Sequence, residues 1–284
     1  MTTWLDYRKA RPGCGRSIAG TLRLLEGVDG GELRNRRDLL AWLPPSYRRG
    51  RRRYPVLYFH DGQNLFDPAT SFAGDWRVDE TMRELAREEI EAIVVGISNT
   101  GRERMAEYNP FPDPTFGPGR GDAYLRFLAE TVKPLIDDSF RTRPEPEHTG
   151  IVGSSLGGLI SLYAFFARPE MFGLAGVLSP SLWIGGEGIF PYIDRAPRRR
   201  GRIYLDVGTR EAGGTNPTVV AAASRRYSGR VMRMRYLLER KLERPGESLR
   251  HVQDEGGMHN EADWARRLPA ALRFLLAPPS DAGA

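Results

Sequence analysis

The amino-acid sequence predicts an α/β fold, in which a mostly parallel sheet is covered by helices on both faces and carries an antiparallel N-terminal edge. Short apolar runs, such as residues 92–97, alternate along the chain with longer amphipathic segments, such as residues 78–89. This alternation favours right-handed crossovers between parallel strands. Two early apolar runs, at 21–26 and 39–43, have no helix between them and fit an antiparallel pair.

In chain order, apolar runs bounded by turn residues predict the strands, and amphipathic stretches between them predict the helices. The predicted strands are 54–59, 92–97, 149–153, 174–178, 202–207 and 249–253, and the predicted helices are 78–89, 122–138, 156–167, 217–227 and 261–276. Residues 98–121 form a long irregular segment rich in Asn, Pro and Gly. Structureless loops of that length in compact domains are usually functional, which makes this segment a candidate for a functional role.

Composition limits the class of protein. The chain has 284 residues, of which 40% are hydrophobic and 27% charged, so it can bury a large core. We expect one domain over residues 1–278 and a flexible tail at 279–284. Cys14 is the single cysteine, which excludes a disulfide scaffold and a Cys-rich metal site. The first 30 residues hold no apolar run typical of a signal peptide or membrane span, so we expect a cytoplasmic protein without a metal.

The formal net charge of +6 comes mainly from arginine, which is concentrated in two runs at residues 48–53 and 198–202. Such a charge can indicate a nucleic acid or another anionic partner. No recognised nucleic-acid-binding motif accompanies it, so we interpret the runs as solvated surface and expect neither nucleic acid nor a membrane as partner. A non-catalytic anion-binding module stays as an alternative.

The sequence Gly153-Ser-Ser-Leu-Gly157 matches the pattern G-x-S-x-G at the predicted junction of a buried strand and a helix. This is the context of a nucleophile elbow, where a sharp turn exposes the central serine. The pattern centres on Ser155, which we predict to be the nucleophile. The alternative is a glycine-rich turn that binds phosphate at a helix N-terminus.

A serine hydroxyl needs a base, and histidine is the usual one near neutral pH. The chain has four histidines, of which His60 and His148 precede the elbow and His251 lies within a predicted strand. In folds with such an elbow the order along the chain is Ser, acid, His. His259, between the last strand and the last helix, satisfies that order and is the predicted base.

The acid should follow the strand at 202–207. Glu211 lies past the end of that strand and is the predicted acid, whereas Asp206 lies inside it and is the alternative. An oxyanion hole needs two backbone N–H groups. We expect one from Leu156, directly after the nucleophile, and one from Gln63, in the turn after the strand at 54–59.

Four segments together resemble the Putative esterase group of α/β-hydrolases: Tyr-Phe-His-Asp-Gly-Gln-Asn-Leu-Phe-Asp at 58–67, Gly-Ser-Ser-Leu-Gly-Gly at 153–158, Leu-Ser-Pro-Ser-Leu-Trp at 178–183 and Gly-Met-His-Asn at 257–260. The group includes enterochelin esterase-like proteins, esterase D, feruloyl and acetylxylan esterases, and mycolyltransferases. The resemblance implies an α/β-hydrolase sheet, a Ser155–Glu211–His259 triad, a backbone oxyanion donor at Gln63 and no cofactor. An aspartate is common in the acid position, and Glu211 departs from that.

The expected function is hydrolysis of a small-molecule ester or thioester by a serine carboxylesterase that forms an acyl-serine intermediate. Acyl transfer to an alcohol by the same triad is an alternative, and a homodimer is compatible with the sequence. Residues in segments expected to converge on the site could contact substrate or pack in the core: Trp76, Tyr108, Trp183 and Met258. Arg102 and Arg104, in the long loop, could meet an anionic group of the substrate.

Overall fold

The computed structural model of the protein describes residues 3–15 and 18–278, and the predicted tail at 279–284 lies outside them. The strands are β1 (Leu5–Asp6), β2 (Thr21–Asp29), β3 (Arg36–Leu43), β4 (Val56–His60), β5 (Ile93–Ile97), β6 (Thr149–Ser154), β7 (Leu174–Leu178), β8 (Arg202–Arg210) and β9 (Leu249–Met258). Within the described residues they form one nine-stranded sheet of order β1-β2-β3-β5-β4-β6-β7-β8-β9. The pairs from β1 to β5 in this order are antiparallel and the others are parallel. The predicted fold class and antiparallel edge are confirmed.

Helices connect the strands and cover the sheet. They are α1 (Tyr7–Ala10), α2 (Val78–Ala86), α3 (Arg104–Glu107), α4 (Gly121–Phe127), α5 (Lys133–Ser139), α6 (Leu156–Ala167), α7 (Ile189–Arg195), α8 (Pro217–Lys241), α9 (Pro245–Ser248) and α10 (Glu261–Leu276). A π-helical turn at Leu128–Val132 joins α4 to α5, so the predicted helix at 122–138 is a continuous helical segment. None of the helices in the described ranges is both long and apolar enough to cross a membrane.

The sheet separates two cores because successive side chains of a strand point to opposite faces. In β4, Val56 and Tyr58 pack in the core that contains α4 to α8, whereas Leu57 and Phe59 pack in the core that contains α2 and α10. All four side chains are at most 1% exposed. Burial on both faces explains why β4 reads as an unbroken apolar run.

Several elements differ from the sequence prediction, among them α8, α7 and α3. Helix α8 continues to Lys241 rather than ending at 227, because Val231, Met234 and Leu238 recur at helical spacing and are buried. Helix α7 lies in a segment for which no helix was predicted. The segment predicted to be irregular, 98–121, contains the short helix α3.

Two arginines of the second arginine-rich run have structural contacts, which corrects their interpretation as solvated surface. Arg202 donates hydrogen bonds to the carbonyl oxygens of Leu275 (3.2 Å) and Pro278 (3.0 Å), at the C-terminal end of α10. Arg199 donates to the carbonyl of Phe172 at 3.1 Å, and its guanidinium lies 4.4 Å from the ring centre of Phe165. Cations that bind the last carbonyls of a helix satisfy groups that have no intrahelical partner.

Candidate active site

Ser155 occupies the sharp turn between β6 and α6. Its backbone has φ 58° and ψ −121°, a conformation that a non-glycine residue rarely adopts. A Cβ atom on Gly153 would lie 2.7 Å from the carbonyl carbon of Gly157, so only glycine allows the strand and helix to approach this closely. The sharp strand–turn–helix that the sequence predicts at Ser155 is therefore present in the backbone.

Three neighbouring strands are each followed directly by a non-glycine residue with positive φ. The residues directly after β4, β6 and β7 are Asp61, Ser155 and Ser179, and all have positive φ, at 56°, 58° and 39°. Parallel strands present their carboxyl ends at one edge of a sheet, which is where α/β proteins bind ligands. The three left-handed residues therefore mark the edge at which the predicted site residues meet.

The structure brings His259 and Glu211 together. The Nδ1 atom of His259 lies 2.6 Å from Oε2 of Glu211. The carboxylate side chain is fully buried, whereas 26% of the imidazole side chain is exposed. Aromatic rings of Trp264 and Tyr227 flank the imidazole, with ring centres at 4.9 and 5.5 Å. The imidazole is thus held by a carboxylate on one side while the rest of the ring remains accessible.

The hydroxyl of Ser155 lies near a second serine. Its Oγ is 3.1 Å from Oγ of Ser181, and across the described ranges no hydrogen bond joins it to His259. Ser155, Ser181, His259 and Glu211 all line one cavity of about 480 Å³. Hydrogen bonds between a nucleophile and its base are often absent in unliganded sites and form only when substrate binds.

The turn that contains Gln63 spans Gly62–Asn64 and is held from outside. Arg104 donates two hydrogen bonds of 2.7 Å to the carboxylate of the preceding Asp61, and Asn99 donates a third of 2.6 Å. Burial opposes ionisation of Asp61, but the hydrogen bonds and charge of Arg104 outweigh it and lower the pKa of Asp61 below its usual value. The long loop at 98–121 thus supports this turn, and Arg104 is bound to protein rather than free for substrate.

The two predicted oxyanion donors have unused backbone N–H groups. Leu156 is the first residue of α6, and the first N–H groups of a helix have no intrahelical acceptor. Within the part of the chain that the structure describes, neither Leu156 nor Gln63 donates its N–H to another residue. A Cβ on Gly157 would lie 3.3 Å from Cβ of His60, so the elbow packs directly against the strand end that leads to this turn.

His60 and Asp206 are placed unlike the proposed base and acid. His60 is buried, its Nδ1 lies 2.9 Å from the hydroxyl of Tyr124, and burial lowers its pKa to about 3. Asp206 is also buried and forms an ion pair of 3.0 Å with Nε of Arg267. Burial outweighs the charge of Arg267 and raises the pKa of Asp206 to about 7. Asp206 is therefore paired with Arg267, and Glu211 is the carboxylate that contacts His259.

Only part of the predicted substrate-contacting set lines the cavity. Trp183 lines it and is 37% exposed. Met258 and Arg102 are exposed but are not among the residues that line it. Trp76 and Tyr108 are 5% and 0% exposed, which corrects the prediction that they line a pocket.

Both corrected residues have packing roles. The ring centre of Trp76 lies 6.2 Å from that of Phe59 and 5.7 Å from that of Trp264. The hydroxyl of Tyr108 accepts a hydrogen bond of 3.2 Å from the backbone N–H of Asp61. Sequence reasoning missed Ser181 and Arg226 among the residues that line the cavity, although Ser181 lies in the 178–183 segment already singled out.

Comparison with known proteins assigns the family. The family model described as "Putative esterase" matches residues 30–275. The chain belongs to this family. Its family membership shows that it is a carboxylic ester hydrolase, and the similar solved structures show an α/β-hydrolase fold.

Similar proteins include named esterases. The chain is 31% identical over 184 residues to the uncharacterized protein YbbA of Bacillus subtilis, a match that covers 62% of this chain and 69% of that protein. It is 32% identical over 141 residues to the siderophore triacetylfusarinine C esterase of Aspergillus fumigatus, which covers 47% of this chain and less than half, 46%, of the fungal protein.

A solved structure agrees in fold. The siderophore hydrolase EstA of Aspergillus nidulans superposes with a TM-score of 0.71 at 20% identity, over 91% of this chain and 95% of that one. This likeness agrees with the sheet and helix arrangement of this esterase.

Proposed function

We propose that this esterase is a serine carboxylesterase that forms an acyl-serine intermediate on Ser155. The observation that carries the proposal is the shared cavity, which is lined both by the left-handed serine at the elbow and by the hydrogen-bonded His259–Glu211 pair. His259 acts as the base and Glu211 orients it. The N–H groups of Gln63 and Leu156 stabilise the oxyanion.

The proposed reaction has two halves. The Ser155 side chain first rotates away from Ser181. Its Oγ then attacks the ester carbonyl while His259 takes the hydroxyl proton. The tetrahedral intermediate collapses when the carbon–oxygen bond to the alcohol breaks, and His259 returns the proton to that alcohol. Water then attacks the acyl-serine with the same base, which releases the acid and regenerates Ser155.

Active-site labelling tests this proposal. A fluorophosphonate should react with the full-length protein at one equivalent, because only an activated serine attacks such a phosphorus centre. Peptide mass spectrometry should locate the adduct on Ser155. Absence of an adduct in a preparation that does hydrolyse an ester would contradict the proposal, because that hydrolysis would then not depend on an activated serine.

The residues that line the cavity favour a substrate ester that carries an aromatic or a negatively charged group. Trp183 packs edge-on against Tyr227 with 4.7 Å between ring centres, which presents an aromatic wall. Arg230 binds Glu187 at 2.7 Å, whereas Arg226 has no acidic partner among the described residues. The similar siderophore esterases support inclusion of siderophore esters among the substrates tested.

Replacing Arg226 by glutamine should raise KM for an anionic ester about two- to fivefold, because an exposed charge pair contributes up to about 1 kcal/mol. KM for a neutral ester of the same size should stay unchanged. The matched control is Arg225→Gln, on the same helix but outside the cavity. Steady-state kinetics with the two esters would measure the effect, and equal changes in both variants would refute the role of Arg226.

A further inference from the structure

The segment Ser179–Ser181, directly after β7, contacts both ends of the proposed triad. Ser181 reaches the nucleophile through two contacts: its N–H donates to the carbonyl of Ser155 at 3.0 Å, and the two hydroxyl oxygens lie 3.1 Å apart. Ser179 reaches the acid, since its hydroxyl donates to Oε1 of Glu211 at 2.6 Å. One proline separates these two serines, so a single short segment spans the site from acid to nucleophile.

The direction of the hydrogen bond from Ser179 to Glu211 follows from its other partners. Oγ of Ser179 also receives hydrogen bonds from Nη2 of Arg267 at 2.9 Å and from Nε1 of Trp264 at 3.2 Å. Arginine and tryptophan side chains can only donate, and a hydroxyl has one proton and two acceptor sites. The proton of Ser179 is therefore directed to the carboxylate.

The backbone of Ser179 is held as firmly as its side chain. Its N–H donates to Oδ1 of Asp206 at 3.0 Å, and its carbonyl accepts from the hydroxyl of Tyr227 at 2.6 Å. Its φ of 39° is left-handed, and non-glycine residues persist in that region only where the surroundings fix them. Every polar atom of Ser179 thus has a partner that fixes where its hydroxyl points.

Glu211 needs such a support because glutamate has one more rotatable bond than aspartate. Its Oε1 accepts from Ser179 and from the backbone N–H of Gly208 at 2.5 Å, which leaves Oε2 to bind His259. With Oε1 held at two points, the carboxylate has one orientation in which Oε2 meets the imidazole. Loss of the Ser179 contact would free rotation about the last bond of the side chain.

We propose that Ser179 is a positioning residue, which orients the Glu211 carboxylate so that it holds His259 in the geometry needed for proton transfer. The inference rests on the proposed function of Ser155, His259 and Glu211. Ser179 does not touch the reacting atoms and acts through Glu211. Arg267 and Trp264 in turn fix the direction of its proton.

Two variants of the full-length protein separate the hydroxyl from the backbone. Ser179→Ala removes the hydroxyl, and Ser179→Gly removes it while suiting the left-handed conformation. Both should lower kcat for a p-nitrophenyl ester about 10- to 100-fold with KM within about twofold, as small misplacements of catalytic groups do. The downfield proton NMR resonance of the His259 Nδ1–H should move upfield in both, because it reports the hydrogen bond to Glu211.

Thr149→Val is the matched control. Thr149 is 1% exposed at the start of β6, at the other end of the strand from Ser155, and donates to the carbonyl of Glu145 at 3.0 Å. Its variant should keep kcat and the resonance of the wild type, whatever it does to thermal stability. The role of Ser179 is refuted if either serine variant keeps both, or if Thr149→Val loses as much activity.

The result also separates this inference from the proposed function. Fluorophosphonate labelling of Ser155 in the wild type, together with unchanged kcat in Ser179→Gly, would overturn the positioning role alone. If the wild type shows no adduct on Ser155, the proposed function fails and the inference falls with it. If Ser179→Ala does not fold, Ser179→Gly decides, because its backbone is relaxed at this position.

Discussion

Replacing Ser155 by alanine is expected to lower kcat for ester hydrolysis about 10⁵-fold, the scale of loss when a serine nucleophile is removed. Alanine tolerates the left-handed backbone at this position about as poorly as serine, so the change removes the hydroxyl and leaves the backbone cost nearly constant. The activity that remains should come from the oxyanion donors and from substrate binding. Spectrophotometric assays of a p-nitrophenyl ester would measure it.

The adjacent serine provides the matched control. Ser154 is the last residue of β6 and is 4% exposed, so its substitution by alanine also removes a buried hydroxyl beside the elbow. Ser154→Ala should keep kcat within about threefold of the wild type and should still react with the fluorophosphonate. If Ser154→Ala loses activity and labelling while Ser155→Ala keeps both, the nucleophile has been assigned to the wrong serine.

Replacing Glu211 by glutamine should lower kcat about 10³- to 10⁴-fold with a small effect on KM. The side chain keeps its shape, but an amide NH₂ can face Nδ1 of His259 only if that nitrogen is an acceptor. The ring proton would then sit on Nε2, which could no longer take the proton of Ser155. This tautomer effect accounts for losses of about 10⁴ when the acid of a triad becomes an amide.

Asp206→Asn tests the alternative acid. Because Asp206 binds Arg267 and the N–H of Ser179, its substitution should lower the melting temperature while kcat stays within about tenfold of the wild type. A loss in Asp206→Asn as large as that in Glu211→Gln would assign the acid to Asp206. Full activity in Glu211→Gln would instead indicate a Ser–His pair that works without an acid.

Local patterns in the sequence were sufficient to predict the strand–turn–helix around Ser155. The helix at 156–167 and the strand at 174–178 begin and end where predicted, because glycine, proline and buried apolar runs mark their limits. Chain order then selected His259 and Glu211, whose contact at 2.6 Å joins residues 48 positions apart. Order was informative because parallel strands bring their carboxyl ends to one edge of the sheet.

The remaining contacts depend on which face a side chain occupies. Trp76 lies in a segment next to the site, yet it packs under the sheet against Phe59 and Trp264, and sequence proximity could not reveal that. The hydrogen bond from Arg267 to Ser179 joins residues 88 positions apart, and its arginine resembles dozens of others in this arginine-rich chain. Such long-range polar contacts leave no periodic signal in the sequence.

The left-handed residues at the ends of β4, β6 and β7 set a limit on how heat-resistant this enzyme can become. Each non-glycine residue in that conformation destabilises the folded state by about 1 kcal/mol. A glycine at the same position would remove that cost. At Asp61 and Ser179 the side chain binds a neighbouring polar group, and at Ser155 it is the proposed nucleophile, so activity and stability compete at all three. An engineer seeking heat resistance would leave this edge intact and start from Arg34 and Glu89, two left-handed residues outside the site.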